Sequence, residues 1–82
     1  MINKKDIRKT PIIRVEWLDA VSGSGWTAID KVESPAKCLT VGYLIREDKM
    51  QVVVAACIST GDSCNSTITI PKGMILKRSK IK

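Results

Sequence analysis

The 82 residues contain no histidine and no phenylalanine. The first absence removes Ser-His and Cys-His nucleophiles, imidazole acid/base catalysis and any zinc site that uses histidine. Three cysteines, Cys38, Cys57 and Cys64, lack Cys-x-x-Cys spacing and cannot all pair within one chain. They read as buried thiols acting as small apolar side chains, with no structural zinc. No apolar signal-peptide core follows the basic start, so the expectation is a reduced, cytoplasmic protein. Phosphate-binding Walker A loops, Gly-x-Gly-x-x-Gly turns and calcium-binding EF-hand loops are all missing. Asp19, the Glu47-Asp48 pair and Asp62 are potential Mg²⁺ ligands, but carboxylates placed in loops ordinarily solvate turns. The longest apolar run, Val52 to Ile58, falls far short of the ~20 residues of a membrane-spanning helix. The sequence therefore predicts a soluble protein with no enzymatic chemistry and no cofactor.

A single domain of this length buries only roughly 60 to 65% of the surface its unfolded chain exposes. One subunit has no room for a deep cleft, and a sizeable ligand needs a surface groove or a site shared between subunits. Sharing also covers spare apolar surface, so a homo-oligomer is expected. The net charge of +6 is unevenly placed. Lys4, Lys5, Arg8, Lys9 and Arg14 face only Asp6 at the start, and Lys72, Lys77, Arg78, Lys80 and Lys82 face no acid at the end. Between them acidic residues outnumber basic ones. Two basic ends, read as solvated tails, replace a basic face spread over the domain.

The strongest pattern lies from Cys38 to Ile58, where two runs rich in β-branched residues flank Glu47-Asp48-Lys49. This predicts a β-hairpin. In its first arm Leu39, Val41, Tyr43 and Ile45 alternate with Thr40, Gly42, Leu44 and Arg46; in its second Met50, Val52, Val54, Ala56 and Ile58 alternate with Gln51, Val53, Ala55 and Cys57. Neither arm has a cleanly polar face. Strands apolar on both sides are ordinarily covered on both sides, which points to a curled sheet or a subunit contact. The competing helix is disfavoured by Val52-Val53-Val54 and Gly42.

Before the hairpin, residues 1–11 are polar and aperiodic and read as a flexible basic arm ending at Pro11. Ile13, Val15 and Trp17 then share one face of a strand, against Arg14 and Glu16. Asp19 to Gly25 holds two glycines and two serines and reads as a loop. After Trp26, Thr27 is placed to cap one helical turn held by Ile29 and Val32 and stopped by Ser34-Pro35. After the hairpin come a turn-rich loop, a short strand over Thr67 to Ile70 that Pro71 ends, a tight turn at Pro71-Lys72-Gly73, and a last strand from Met74 to Lys77. The fold class is mostly β: a small five-stranded SH3-like barrel or curled antiparallel sheet with one short helical turn. Residues 12–78 form the domain and residues 79–82 a basic tail.

Only three aromatic residues occur: Trp17, Trp26 and Tyr43. Each tryptophan has a plain role available, packing one end of a barrel. Framing a loop of small polar residues and an aspartate, however, two indoles also supply the parts of a nucleobase pocket. These are flat faces for stacking, an acceptor for an amino group and backbone amides for phosphate.

Val15-x-Trp17-x-Asp19, then Trp26, then Cys38-x-Thr40-Val41-Gly42, the Val-Val-Val-Ala strand and Ile70-Pro71-Lys72-Gly73-x-Ile75 resemble a group of small bacteriophage proteins. That group includes sponges that bind cyclic nucleotide or related immune signals and so silence CBASS or Thoeris anti-phage defence. The resemblance spans residues 12 to 77 through short, degenerate elements. It implies an oligomeric β-rich fold, with a tetramer favoured, acting in the host bacterial cytoplasm. The implied ligand is a small nucleotide second messenger, a cyclic dinucleotide such as 3'3'-cGAMP or a cyclic ADP-ribose isomer. Trp17 and Trp26 then stand as stacking residues, Asp19 as a base or ribose acceptor, Ser22 and Ser24 as phosphate or ribose contacts, Lys72 as a phosphate cation and Tyr43 as a weaker candidate. Two further readings stay open: an Sm or SH3-like barrel binding single-stranded nucleic acid through its basic ends, and a protein that blocks a host enzyme through the hairpin face.

Overall fold

A computed structural model of the chain describes residues 7–20 and 22–81. Most of the expected N-terminal arm, together with Val21 and Lys82, lies outside the described residues. Five strands, β1 (Ile12–Asp19), β2 (Ala36–Glu47), β3 (Gln51–Ile58), β4 (Cys64–Pro71) and β5 (Ile75–Ile81), form one antiparallel sheet in the order β4-β3-β2-β1-β5. The sheet is open, with β4 and β5 at its edges.

β1 behaves as its alternation dictates. Ile13, Val15 and Trp17 are buried, whereas Arg14 is exposed and Glu16 half-buried. These three side chains pack with Val52, Val54 and Ile70 as the core, and Cys38, Leu44, Ile68 and Ile75 lie against it. Each fully buried aliphatic side chain contributes roughly 1.5 to 3 kcal/mol of transfer free energy, so this cluster is the main stabilising unit. On β3 the opposite face is covered too, since Val53 and Ala55 are also buried. A strand apolar on both sides is thus covered on both sides over Val52 to Ala55.

The hairpin turns where the Glu47-Asp48-Lys49 break predicts. Asp48 Oδ1 accepts the backbone N–H of Met50 at 2.8 Å and of Gln51 at 3.1 Å, an Asx-type closure that substitutes for ladder hydrogen bonds. β2 is the longest strand at 12 residues. Gly42 sits where β2 approaches β3 so closely that a Cβ would lie 2.6 Å from the Ala55 carbonyl oxygen and 2.7 Å from Val54 Cγ1. The register then shifts between Leu44 and Arg46, a bulge that turns the rest of the strand over. As a result Glu47 reaches β5, and its Oε2 lies 2.8 Å from both Arg78 Nη1 and Lys72 Nζ.

Several boundaries differ from the sequence expectation. β4 begins at Cys64, three residues before Thr67, because Cys57 and Ile58 extend the β3–β4 ladder to Asn65 and Cys64. It includes Pro71, paired with Gln51, one residue beyond the expected end at Ile70, and the Lys72 N–H still donates to the Met50 carbonyl at 2.8 Å, so the missing N–H of Pro71 does not stop the pairing. β5 continues to Ile81 through residues expected as tail, since Ser79, Lys80 and Ile81 pair with Arg14, Ile13 and Ile12. The turn before it is a 3₁₀ turn, Lys72–Met74. The predicted helical turn is a 3₁₀ turn at Ile29–Lys31 with Ala28, not Thr27, at its N-cap and no side-chain cap. Ile29 and Val32 do not hold it, because both point to solvent. No helix among the described residues is long and apolar enough to cross a membrane.

Candidate functional site

The β1–β2 connection is the feature that the core does not explain. Asp19 and Ala36 are the last pair of the β1–β2 ladder, and from that root the chain runs out and back without rejoining the sheet. Every described residue from 22 to 35 is exposed. Local hydrogen bonds shape the returning limb: Lys31 N–H donates to the Ala28 carbonyl at 2.9 Å and Val32 N–H to that of Ile29 at 3.4 Å. At the outer bend Gly25 has φ +82°, the left-handed region where a side chain is disfavoured. Trp26, the next residue, is fully exposed.

The loop folds over a concavity of about 510 Å³ lined by Ser22, Ser24, Trp26 and Thr27 with Lys31, Val32 and Glu33 from the returning limb. An aromatic face, hydroxyls, a cation and a carboxylate therefore open onto one space. Lys31 was not singled out by the sequence, although it is the only lysine between Asp19 and Ser34.

The other sequence candidates separate. Trp17 lies in the core at 8% exposure and donates its indole N–H to Thr40 Oγ1 at 2.9 Å, so its ring is committed to the sheet. Tyr43 is half-buried in β2, opposite Ile12 on one side and Ala55 on the other. Asp19 is exposed at the loop's root but does not line the concavity. Lys72, also outside it, is ion-paired with Glu47. Hydrogen bonds from Lys72 and then Arg78, with their charges adding a smaller part, hold the Glu47 carboxyl below the usual glutamate range; partial desolvation opposes them. Only Ser22, Ser24 and Trp26 of the expected set come together.

Comparison with known proteins matches the chain to no family model, no curated protein and no solved structure. Among the described residues no three metal-ligating side chains converge.

Proposed function

We propose that this chain is a non-catalytic bacteriophage protein that sequesters a cyclic nucleotide immune signal in the host bacterial cytoplasm, and that it works as a homo-oligomer of small SH3-like barrels. One observation carries the proposal: a fully exposed tryptophan lining a concavity that also presents hydroxyls and a lysine. A soluble domain gains nothing in stability from an indole in water, whereas stacking on a base is worth roughly 1 to 3 kcal/mol. Ser22 and Ser24 offer hydroxyls to ribose or phosphate, and Lys31 offers an ammonium to the phosphate charge. Sequestration needs tight binding without turnover, and a chain without histidine is suited to that.

The experiment is calorimetric titration of the wild type, Trp26→Ala and Lys31→Ala with cyclic dinucleotides and cyclic ADP-ribose isomers, with thermal melts in parallel. The expected result is binding by the wild type, a loss of roughly 1 to 3 kcal/mol in Trp26→Ala, a smaller loss in Lys31→Ala, and unchanged melting. Failure of the wild type to bind any of these signals overturns the proposal.

The strand order supports a second reading. An open sheet ordered β4-β3-β2-β1-β5, with a 3₁₀ turn before a β5 that carries exposed Lys77, Arg78 and Lys80, also suits an Sm-like barrel binding single-stranded nucleic acid. Salt-sensitive retention of single-stranded RNA, with no nucleotide binding, is its signature.

A further inference from the structure

The chain is too elongated for its length. Its radius of gyration is 16.0 Å and its extents are 55 × 22 × 21 Å, whereas a compact chain of this size has a radius of roughly 12 Å. The β1–β2 loop does not fold back onto its own sheet, and it is not a polar loop. Its returning limb carries Ile29 at 93% and Val32 at 68% exposure, three residues apart and flanked by Asp30 and Glu33. An arm whose backbone hydrogen bonds are local and whose apolar side chains stay exposed gives up ordering entropy without burying apolar surface in its own subunit.

The sheet bears a matching vacancy on the face opposite the core. Register places Leu39 and Val41 of β2 level with Glu16 and Arg14 of β1, which are level in turn with Lys77 and Ser79 of β5. The β1–β5 register shift between Glu16 and Trp17 leaves Leu76 out of step beside them. Leu39, Val41 and Leu76 are all more than half exposed. Leu39 and Leu76 line a groove of about 170 Å³ with Glu16, Trp17, Lys37 and Cys38. Its charged surroundings are mainly basic: Lys37 at one end, Arg14 alongside, and Lys77 directly opposite Glu16. The arm's flanking charges are mainly acidic, with Lys31 the exception. Apolar side chains edged by Asp30 and Glu33 thus face, on another part of the same chain, an apolar groove edged by Lys37, Arg14 and Lys77.

We propose that the arm docks on a second copy: Ile29 and Val32 of one subunit seat on the Leu39–Leu76 groove of its partner, and the exchange is reciprocal about a two-fold axis. A contact between two different patches closes as a pair when each subunit offers both, and the arm's reach beyond its own sheet permits this. Because Lys31, Val32 and Glu33 of the returning limb line the Trp26 concavity, docking that limb brings the partner's sheet against the concavity. The loop site is then completed by the second subunit. This inference rests on the oligomer stated above but not on the identity of the ligand.

Sedimentation of the wild type, Ile29→Asp, Leu39→Asp and an equimolar mixture of the two variants, without ligand, tests it. Both positions are exposed in the single subunit, so the variants are expected to keep the wild-type circular-dichroism spectrum. The wild type is expected to associate at micromolar concentration, and each variant to associate roughly tenfold or more weakly, because a buried carboxylate replaces an apolar contact. The mixture is expected to recover part of the association, since the intact groove of Ile29→Asp still accepts the intact arm of Leu39→Asp. A monomeric wild type overturns both this proposal and the oligomer. An associated wild type whose mass is unchanged by either variant overturns the arm exchange alone and moves the interface to another surface. Weakened variants whose mixture recovers nothing also overturn the reciprocal exchange.

Discussion

Trp17 donates its indole N–H to the hydroxyl of half-buried Thr40 at 2.9 Å, across the β1–β2 pair at the margin of the core. The bond satisfies the one polar atom of a ring that otherwise packs on aliphatic neighbours, and it fixes the ring's orientation. Trp17 and Trp26, nine residues apart, therefore sit in opposite environments.

The two tryptophans should separate in experiment. Truncating a core tryptophan costs roughly 3 to 5 kcal/mol, a large part of the roughly 5 to 15 kcal/mol that holds a small domain together. Trp17→Ala is expected to be largely unfolded by near-ultraviolet circular dichroism. Thr40→Val leaves the indole N–H without its acceptor and is expected to lower stability by roughly 1 to 3 kcal/mol.

Gly42→Ala is expected to cost roughly 1 to 3 kcal/mol, because the added Cβ meets a backbone carbonyl that cannot move away without breaking the β2–β3 pairing. Urea titration should show a lower midpoint at unchanged slope. An unaltered midpoint would mean that the bend does not depend on the close approach at this residue.

Glu47 should give the chain an acid-sensitive clasp. Its carboxyl titrates below the ordinary glutamate value of 4.5 because of Lys72 and Arg78. The folded value is the depressed one, so the contribution is complete above the unfolded value and is lost as pH falls through the folded value. The groups are about a third exposed and solvent-screened, so the effect is modest. Thermal melts should show a gap between wild type and Glu47→Gln that is constant near neutrality and narrows below about pH 4.5. A gap independent of pH down to pH 2 would remove the ion pairs as its cause.

Truncation after Arg78 is expected to destabilise the fold, because Ser79, Lys80 and Ile81 supply the β5 side of the pairing to Arg14, Ile13 and Ile12. With each net backbone hydrogen bond worth roughly 0.5 to 1.5 kcal/mol, loss of these pairs should lower the melting temperature and raise amide exchange at Arg14, whose N–H faces Ser79 of β5. Protection at Arg14 equal to that of the full chain would show that β5 ends earlier in solution.

Period-two alternation is local, so β1 and its buried triad Ile13, Val15 and Trp17 were legible from residue spacing alone, as was the hairpin about Asp48. These features follow from covalent geometry and side-chain direction within a few residues. Which faces are covered, and by what, is a matter of distant pairing. Only the bend at Gly42 and the register shift before Arg46 bring Glu47 to Lys72 and Arg78, which removes Lys72 from the candidate site. Only pairing with β1 extends the expected last strand through residues 79–81, which were expected as a basic tail. Both tryptophans that frame the loop stood as stacking candidates, yet strand alternation carries Trp17 into the core while Trp26, after Gly25 at φ +82°, is fully exposed. The concavity that adds Lys31 exists because the loop returns over itself, and a through-space closure of that kind leaves no periodic trace in the residues that form it.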